Sequence, residues 1–251
     1  MSLLRLFGRG RGLGYRKDPV DQRDRMLSAL GLATTPPPSA DLRQPQVTPK
    51  DQLYTSSCTG QAWSQALRLA YLHAGIRCPD LSALFPYYGG RAEHDEERTD
   101  AGSYLRTVAK AVMRFGCADE AAWPFRAGDV NKTPPWKAWR NANDRRGLRG
   151  YFRITPGDVG DVRSAIASGH PVVGGWAIND AFTKWNGTGV IQAQRGPFVG
   201  AHAMAIVAYA ADGTFTLMNS WGTDWGRAGY AVVTDSFIAN GSDLWAVQVT
   251  P

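Results

Sequence analysis

Apolar residues recur every three or four positions along the first half of the chain, which is the spacing of one buried helix face. After Cys58 this spacing runs through Ala66 and Leu69, and Gly75 is placed to end the helix. The same spacing predicts further helices in this half. They span residues 81–91, 103–115 and 136–145.

The pattern changes after residue 149 to short runs rich in β-branched and aromatic residues, which are typical of strands. The predicted strands are residues 151–154, 171–176, 203–209, 215–218, 230–233 and 245–249. One helix, residues 159–168, lies among them. We therefore predict an α+β fold, with a helical lobe at about residues 52–148, an antiparallel β-sheet lobe at about residues 149–251, and a functional site in the cleft between them.

Cys58 stands between a polar run and the first helical run, so it is predicted to open that helix. Unpaired backbone N–H groups and the positive end of the helix dipole favour a negative charge at this place. The thiol should therefore ionise more easily than a free cysteine, which makes it a candidate nucleophile. The alternative is that Cys58 is a small apolar residue of the core.

A cysteine nucleophile needs an imidazole to accept its proton, and the imidazole needs a polar partner that fixes its tautomer. His202 opens one apolar run near the end of the chain, and Asn219 closes the next. Two antiparallel strands joined by a turn at residues 211–213 would bring the start of the first strand beside the end of the second. The pattern therefore predicts that His202 lies next to Asn219.

These residues, taken with their neighbours, resemble a papain-like cysteine peptidase. The resemblance is carried by Gln52, Cys58 at a helix start, Gly200-Ala201-His202, Asn219-Ser220-Trp221-Gly222, Trp225-Gly226 and Gly229-Tyr230. The residues that lead into this domain are similar to those of bacterial and phage-type members, which lack a long helical propeptide. The resemblance implies a papain-like two-lobed fold, hydrolysis of peptide bonds in a protein or peptide substrate, and no cofactor or metal.

The resemblance also implies a role for each polar residue. Cys58 attacks the peptide carbonyl, and His202 takes the thiol proton and later gives it to the leaving amine. Gln52 and the backbone N–H of Cys58 donate hydrogen bonds to the oxygen that becomes negative. Asn219 orients His202, and Trp221 covers that hydrogen bond from water.

Substrate binding is expected along a wall that includes Gly102, where a small residue lets two backbones approach each other. Ser103 follows it in this wall. The alternative for this pair is that Gly102 merely precedes a helix that Ser103 caps. Ala201, which precedes His202 where plant enzymes often have an aspartate, and Trp221 complete the expected substrate contacts.

Three positions near the nucleophile depart from the best-known members of that family. Thr59 follows the nucleophile where tryptophan is common, which is similar to the bacterial branch. Leu53 follows Gln52 where glycine is common, and Ser56 replaces another glycine. Because Leu53 and Ser56 are expected to crowd the loop that aims the oxyanion donors, they should affect efficiency and substrate choice more than the class of reaction.

Composition and charge favour a cytoplasmic protein that binds neither nucleic acid nor membranes. The chain has 251 residues, a net charge of +6 and three cysteines. No nucleic-acid motif accompanies the positive charge, and no apolar run is long enough for a membrane span or a secretion signal. If Cys58 stays reduced, only Cys78 and Cys117 can pair, and we expect both to be buried thiols in a bacterial or phage protein.

Residues 1–43 form a basic N-terminal strap, not a separate domain, ahead of the peptidase domain at residues 44–251. Pro36-Pro37-Pro38 would hold part of the strap extended. One arrangement is that the strap fills the cleft and inhibits. We favour the other, in which the strap packs away from the cleft and its apolar residues cover the fold or bind a partner or a virion. These apolar residues are Leu3, Leu4, Leu6 and Phe7.

Two other functions are open. A cell-wall amidohydrolase or transpeptidase also uses a Cys-His pair, although Gln52 and the Asn219-Ser220-Trp221-Gly222 block argue against it. A catalytically idle scaffold or virion component could have kept the fold, although all four expected polar residues are present. Labelling of Cys58 by a thiol-reactive peptidyl probe would separate a peptidase from an idle component.

Overall fold

The structure is a computed structural model, and it describes residues 10–32, 35–44, 47–144 and 147–249. Its helices are α1 (Cys58–His73), α2 (Leu84–Ala92), α3 (Leu105–Phe115), α4 (Trp136–Asn143), α5 (Val159–Ala167), α6 (Asp180–Thr183) and α7 (Asp235–Ala239). Its strands are β1 (Tyr15–Arg16), β2 (Ala40–Asp41), β3 (Ser103–Tyr104), β4 (Leu148–Ile154), β5 (Val172–Ile178), β6 (Gly200–Tyr209), β7 (Phe215–Met218), β8 (Tyr230–Val233) and β9 (Asp243–Val249).

Helix α1 begins at Cys58, as the apolar spacing predicts, and most of its side chains are buried. It ends at His73, because Gly75 turns the chain in the left-handed region with a φ of 75°. Helix α3 begins at Leu105, not at Ser103. The alternative that Ser103 caps this helix is therefore wrong, because Ser103 lies in β3 and pairs with Tyr15 of β1.

Within the described residues, seven strands form one sheet in which every pair is antiparallel. Six strands follow the order β4-β9-β5-β6-β7-β8, and β2 of the strap pairs with β6. The predicted turn at residues 211–213 joins β6 to β7, and Ala205 lies opposite Met218 in that hairpin. Each strand predicted from the sequence is present.

Helix α1 packs across one face of this sheet. Trp63 and Leu67 of α1 share a buried cluster with Val173 of β5. The next residue along the strand, Val172, belongs to a second cluster on the other face, together with Ile166 of α5. The first cluster also includes Ala203 and Ala205, so α1 packs directly against β6, the strand that carries His202.

The predicted α+β class with an antiparallel second half is confirmed. The residue at which one lobe passes into the other stays a prediction. Cys58, Cys78 and Cys117, all within the described ranges, are buried, and the pair that could have formed a disulfide is not joined. None of the helices in the described part of the chain has both the length and the apolar character that crossing a membrane requires.

Candidate active site

Cys58 lies where α1 meets the sheet, and its side chain is fully buried. Its thiol is within hydrogen-bonding reach of the backbone of Thr59, of Ala203 on β6, and of Gly14 in the strap. The candidate nucleophile is therefore enclosed by its own helix, by the strand that carries His202, and by the N-terminal part of the chain.

The thiol of Cys58 is harder to ionise than its position at a helix start predicts. Burial raises its pKa to about 11, while the three backbone hydrogen bonds lower it and the charge of Asp100 raises it further. The expectation of a readily ionised thiol is wrong for this conformation, because removing a thiolate from water costs more than the helix start contributes.

The β6–β7 hairpin brings His202 and Asn219 together. Nε2 of His202 lies 2.7 Å from Oδ1 of Asn219, and both side chains are fully buried. The contact follows from the strand pairing, because Asn219 comes directly after β7. Nδ1 of His202 makes no hydrogen bond to any residue that the structure describes, so this nitrogen is left to exchange a proton.

Trp221 covers the imidazole of His202. The two rings stack with centroids 4.5 Å apart and an angle of 23° between their planes. Burial lowers the pKa of His202 to about 4; the hydrogen bond to Asn219 opposes this shift, and the charge of Arg11 adds to it. Near pH 7 His202 and Cys58 are therefore both neutral in this conformation.

Gln52 is fully buried, and its side-chain amide is held at both ends. The Ser220 hydroxyl donates to Oε1 of Gln52 at 2.6 Å, and this bond orients Nε2 of Gln52 away from Ser220. Nε2 donates to the carbonyl oxygen of Thr55 at 2.7 Å and to that of Gly12 at 2.9 Å. A peptide carbonyl therefore accepts from the predicted oxyanion donor. The contact between Ser220 and Gln52 was not predicted from the sequence, where Ser220 is only a member of the Asn219-Ser220-Trp221-Gly222 motif.

The loop between Gln52 and Cys58 carries backbone strain at Leu53. Its φ of 56° lies in the left-handed region, and 48% of the residue is exposed. Its N–H donates to Oδ1 of Asp51 at 2.8 Å. The exposed Leu53 side chain does not crowd the site as expected; the departure from glycine appears instead as an unfavourable backbone conformation.

Asp100 ties this loop to the predicted wall that includes Gly102. Its two carboxylate oxygens accept from the N–H of Ser56 at 3.1 and 2.9 Å. Oδ1 also accepts from the hydroxyl of Tyr87 at 2.7 Å, and the Tyr87 oxygen in turn accepts from the N–H of Gly102 at 3.0 Å. The contacts of Asp100 and Tyr87 could not be predicted from the sequence, because only the fold brings these side chains to the nucleophile loop.

Residues 11–16 of the strap cross this site, so the expectation that the strap packs away from the cleft is wrong for this stretch. Ser103 donates its N–H to the carbonyl of Gly14 at 2.8 Å, and β1 runs parallel to β3. A Cβ added at Gly102 would lie 2.2 Å from the same Gly14 oxygen. The predicted wall does bind an extended backbone, but that backbone is the chain's own. Leu3, Leu4, Leu6 and Phe7 lie outside the described residues.

The opposite side of the strap meets the sheet near Ala201. This residue is half-buried in β6, directly before His202, and pairs with Ala177 of β5. A Cβ added at the neighbouring Gly200 would lie 2.6 Å from the side chain of Leu13. The strap therefore covers this edge of the site as well.

Tyr15 fills a pocket between the strap and the sheet. A Cβ added at Gly175 of β5 would come within 2.2 Å of the Tyr15 ring, so the absence of a side chain there makes the space. The Tyr15 hydroxyl donates to the fully buried Asp243 at the start of β9. Burial, and then the charge of Asp243, raise the pKa of Tyr15 and keep its hydroxyl a donor.

Comparison with known proteins links this geometry to one family. The model of the papain family of cysteine proteases matches residues 36–240. An uncharacterized peptidase C1-like protein of Acanthamoeba polyphaga mimivirus is 28% identical over 271 aligned positions, which cover 95% of this chain and 87% of that protein. Peptidase 1 of Dermatophagoides pteronyssinus is 33% identical over 239 positions, which cover 89% of this chain and 68% of that protein.

Solved structures show the same fold. Xylellain, a cysteine protease from Xylella fastidiosa, matches with a TM-score of 0.83 at 23% identity, covering 97% of this chain and 98% of that one. The bromelain protease from Ananas comosus matches with a TM-score of 0.70 at 21% identity, covering 85% of this chain and all of that one. The predicted papain-like fold is confirmed. Because the family model spans most of the sequence, the chain belongs to the papain family of cysteine proteases.

Proposed function

We propose that the chain is a cysteine endopeptidase that cleaves peptide bonds by nucleophilic attack of Cys58. The observation that supports it most directly is the Gly12 carbonyl, which accepts a hydrogen bond from Nε2 of Gln52 at 2.9 Å. The Cys58 thiol meets the same stretch of strap at Gly14. The space beside the thiol thus suits an extended peptide whose carbonyl is polarised by Gln52.

In the proposed reaction, Nδ1 of His202 takes the proton of the Cys58 thiol as the sulfur bonds to the substrate carbonyl carbon. Nε2 of Gln52 and the N–H of Cys58 donate to the oxygen that becomes negative. When the carbon–nitrogen bond breaks, His202 gives its proton to the leaving amine, and a thioester remains on Cys58. Water deprotonated by His202 then releases the carboxylic acid and restores the thiol.

The remaining predicted site residues hold the reacting groups and the substrate. Asn219 keeps Nε2 of His202 occupied, so that Nδ1 is the nitrogen that serves the thiol. Gly102 and Ser103 receive the substrate backbone, as they receive Gly14 of the strap. Ala201 and Trp221 flank His202 on the substrate side.

The proposed substrates are proteins or peptides, and the proposed location is the cytoplasm. Three buried thiols suit a reducing compartment. The similarity to a viral protein is the observation that favours association with a virion, or with another partner, through the strap.

Hydrolysis of a fluorogenic peptide library by the Cys58→Ala chain tests the proposed function, with Cys78→Ala as the matched control at another buried cysteine. Because the strap occupies the cleft, each substitution is made both in the unaltered chain and in a Gly12→Ala parent. In that parent the added methyl group would lie 1.8 Å from the Thr55 carbonyl oxygen, which should displace the strap. We expect Cys58→Ala to abolish hydrolysis and Cys78→Ala to retain it. Activity of Cys58→Ala within about tenfold of its parent would remove Cys58 from the role.

The same samples separate the alternatives. Release of amines from peptidoglycan, without cleavage of proteins, would establish the amidohydrolase. Failure of a thiol-reactive peptidyl probe to label Cys58 in the Gly12→Ala parent would instead favour an idle component.

A further inference from the structure

We propose that the strap consists of two parts: a plug, residues 11–16, that leaves the cleft, and an anchor, residues 18–32 and 35–44, that remains in the fold. The proposal rests on the proposed function, since the plug blocks the same site. The cleft opens by movement of the chain about Lys17, and the anchor is a permanent part of the peptidase rather than a removable leader.

The backbone of the plug is bound at two of its carbonyl groups. The carbonyls of Gly12 and Gly14 accept from Nε2 of Gln52 and from the N–H of Ser103. Both donors line a cleft, so water can replace the plug at each of them when it leaves. Release of the backbone therefore leaves no donor of this pair buried without an acceptor.

The side chains of the plug also release without stranding a charge. Arg16 pairs with Glu96, but these side chains are 34% and 35% exposed, and such a pair contributes little. When Tyr15 leaves, Asp243 keeps two of its partners. It still accepts from Arg153 at 2.6 Å and from the N–H of Asp18 at 2.7 Å.

The anchor is held by buried carboxylates that reach both lobes. Asp24 lies 2.7 Å from Arg106 on α3 and 3.2 Å from Arg153 on β4. Asp18 accepts from the N–H of Arg106 at 3.1 Å and from the indole of Trp245 on β9 at 2.9 Å. The Arg106 and Asp24 side chains are only 7% and 8% exposed, so withdrawing the anchor would leave buried charges unpaired, which is strongly unfavourable.

The rest of the anchor belongs to the sheet and its core. Leu27 and Leu42 are buried in the same cluster as Phe152. Arg153 donates its N–H to the carbonyl of Arg25 at 2.7 Å, and Leu42 donates its N–H to the carbonyl of Val207 at 2.9 Å. The anchor thus contributes to the sheet lobe in the way that a strand of the fold does.

Lys17 separates the two parts and is exposed. Pro19 and Val20, on the far side of Asp18, are exposed as well, and Val20 reaches 95%. The Lys17 side chain therefore has little packing that would resist a change of its backbone angles.

Full-length chains carrying Gly12→Ala or Gly14→Ala test the plug, with Gly10→Ala as the matched control. The added methyl carbon would lie 1.8 Å from the Thr55 carbonyl oxygen or 1.9 Å from that of Ser56, whereas nothing lies within 4 Å at Gly10. Alkylation of Cys58 by iodoacetamide is followed by peptide mass spectrometry. We expect this alkylation to be roughly tenfold faster or more in both plug variants than in the control. Peptide hydrolysis should rise by a similar factor.

Hydrogen exchange separates the plug from the anchor. In the Gly12→Ala chain, the amide of Ser103 should lose protection, because its acceptor is in the plug. The amides of Arg106, Arg153 and Leu42 should keep theirs, because their acceptors are in the anchor or in the strand beside it. Loss of protection at all four amides would show that the strap leaves as one unit and would overturn the division.

The readouts distinguish failure of this proposal from failure of the proposed function. Equal alkylation of Cys58 in the three glycine variants, all folded by their melting temperatures, would overturn the plug. Hydrolysis by the unaltered chain as fast as by Gly12→Ala would also reject the plug and would keep the peptidase. Faster alkylation without peptide hydrolysis would keep the plug and reject the peptidase.

Discussion

Ser220 donates its hydroxyl to Oε1 of Gln52 across 2.6 Å, although 168 positions separate the two residues in the chain. An amide that accepts at its oxygen must present its nitrogen elsewhere, and here the nitrogen donates to the Gly12 carbonyl. Ser220 is therefore a positioning residue for the proposed oxyanion donor.

Replacing Ser220 by alanine should lower kcat about tenfold with little change in KM. The reason is that a misaligned Gln52 amide no longer stabilises the negative charge on the oxygen, which exists only in the transition state. Gln52→Ala, which removes the donor itself, should lower kcat about 10²-fold or more. Both are measured in the Gly12→Ala parent, with the exposed Ser236→Ala as control. A change in KM alone would make Gln52 a substrate-binding residue.

His202→Ala should be more damaging than Asn219→Ala. The first removes the proposed base, while the second removes only the partner at Nε2 and leaves an imidazole that can still accept a proton. Steady-state kinetics of the two folded variants, again in the Gly12→Ala parent, give the comparison. The opposite order would reverse the roles assigned to these residues.

Leu53→Gly should make the protein more stable than Leu53→Ala, by about 1 kcal/mol. Glycine adopts the left-handed φ of 56° without a Cβ penalty, whereas alanine still has that penalty. Both variants lose the half-exposed leucine side chain. Chemical denaturation of the two variants measures the difference. Equal stability would mean that the loop relaxes around any side chain at this position.

Mild acid should release the plug. In the closed conformation burial holds the pKa of His202 at about 4, against about 6.5 for an unperturbed histidine. The open conformation therefore binds a proton first, so the stability that neutral His202 gives the closed form is present above about pH 6.5 and is lost as the pH falls towards 4. Arg11 is the charged neighbour that adds to this shift, and the Cys58 thiol stays protonated in this range.

The ratio of Cys58 alkylation rates in the Gly12→Ala chain and the unaltered chain tests this pH dependence, because the reactivity of the thiol itself cancels. The ratio should approach one between pH 6.5 and 4. Asp18 has the opposite effect on the anchor. Burial, and then the charge of Asp243, raise the pKa of Asp18 to about 6, so the folded protein binds this proton more readily than the unfolded protein. The anchor therefore gains stability as the pH falls below 6. A ratio that does not change with pH would exclude His202 as the sensor.

The elements predicted best from the sequence are those whose partners are close in the chain. The spacing after Cys58 gives α1, and the short turn at residues 211–213 fixes the hairpin that joins His202 to Asn219. In both cases the apolar pattern and the local turn are enough to determine the geometry.

The position of residues 11–16 of the strap was predicted wrongly because their contacts leave no pattern in the sequence. Strands β1 and β3 have two residues each, too few to show alternation, and Gly12 and Gly14 have no side chains whose spacing could be read. The raised pKa of Cys58 was missed as well, because burial causes it and residues beside the thiol, such as Ala203 of β6, are distant in the chain. Asp100 is a further case, because its bond to Ser56 spans 44 positions.

Asp24 binds an arginine of α3 and an arginine of β4 with the same carboxylate oxygen. A denaturant that separates the two lobes must break the contact of Asp24 with at least one of these arginines. The guanidinium of that arginine is then either exposed to water or left buried without a carboxylate. Neither lobe therefore has an independent route to losing its structure. The protein should unfold in one cooperative transition, with helical and tertiary signals changing together.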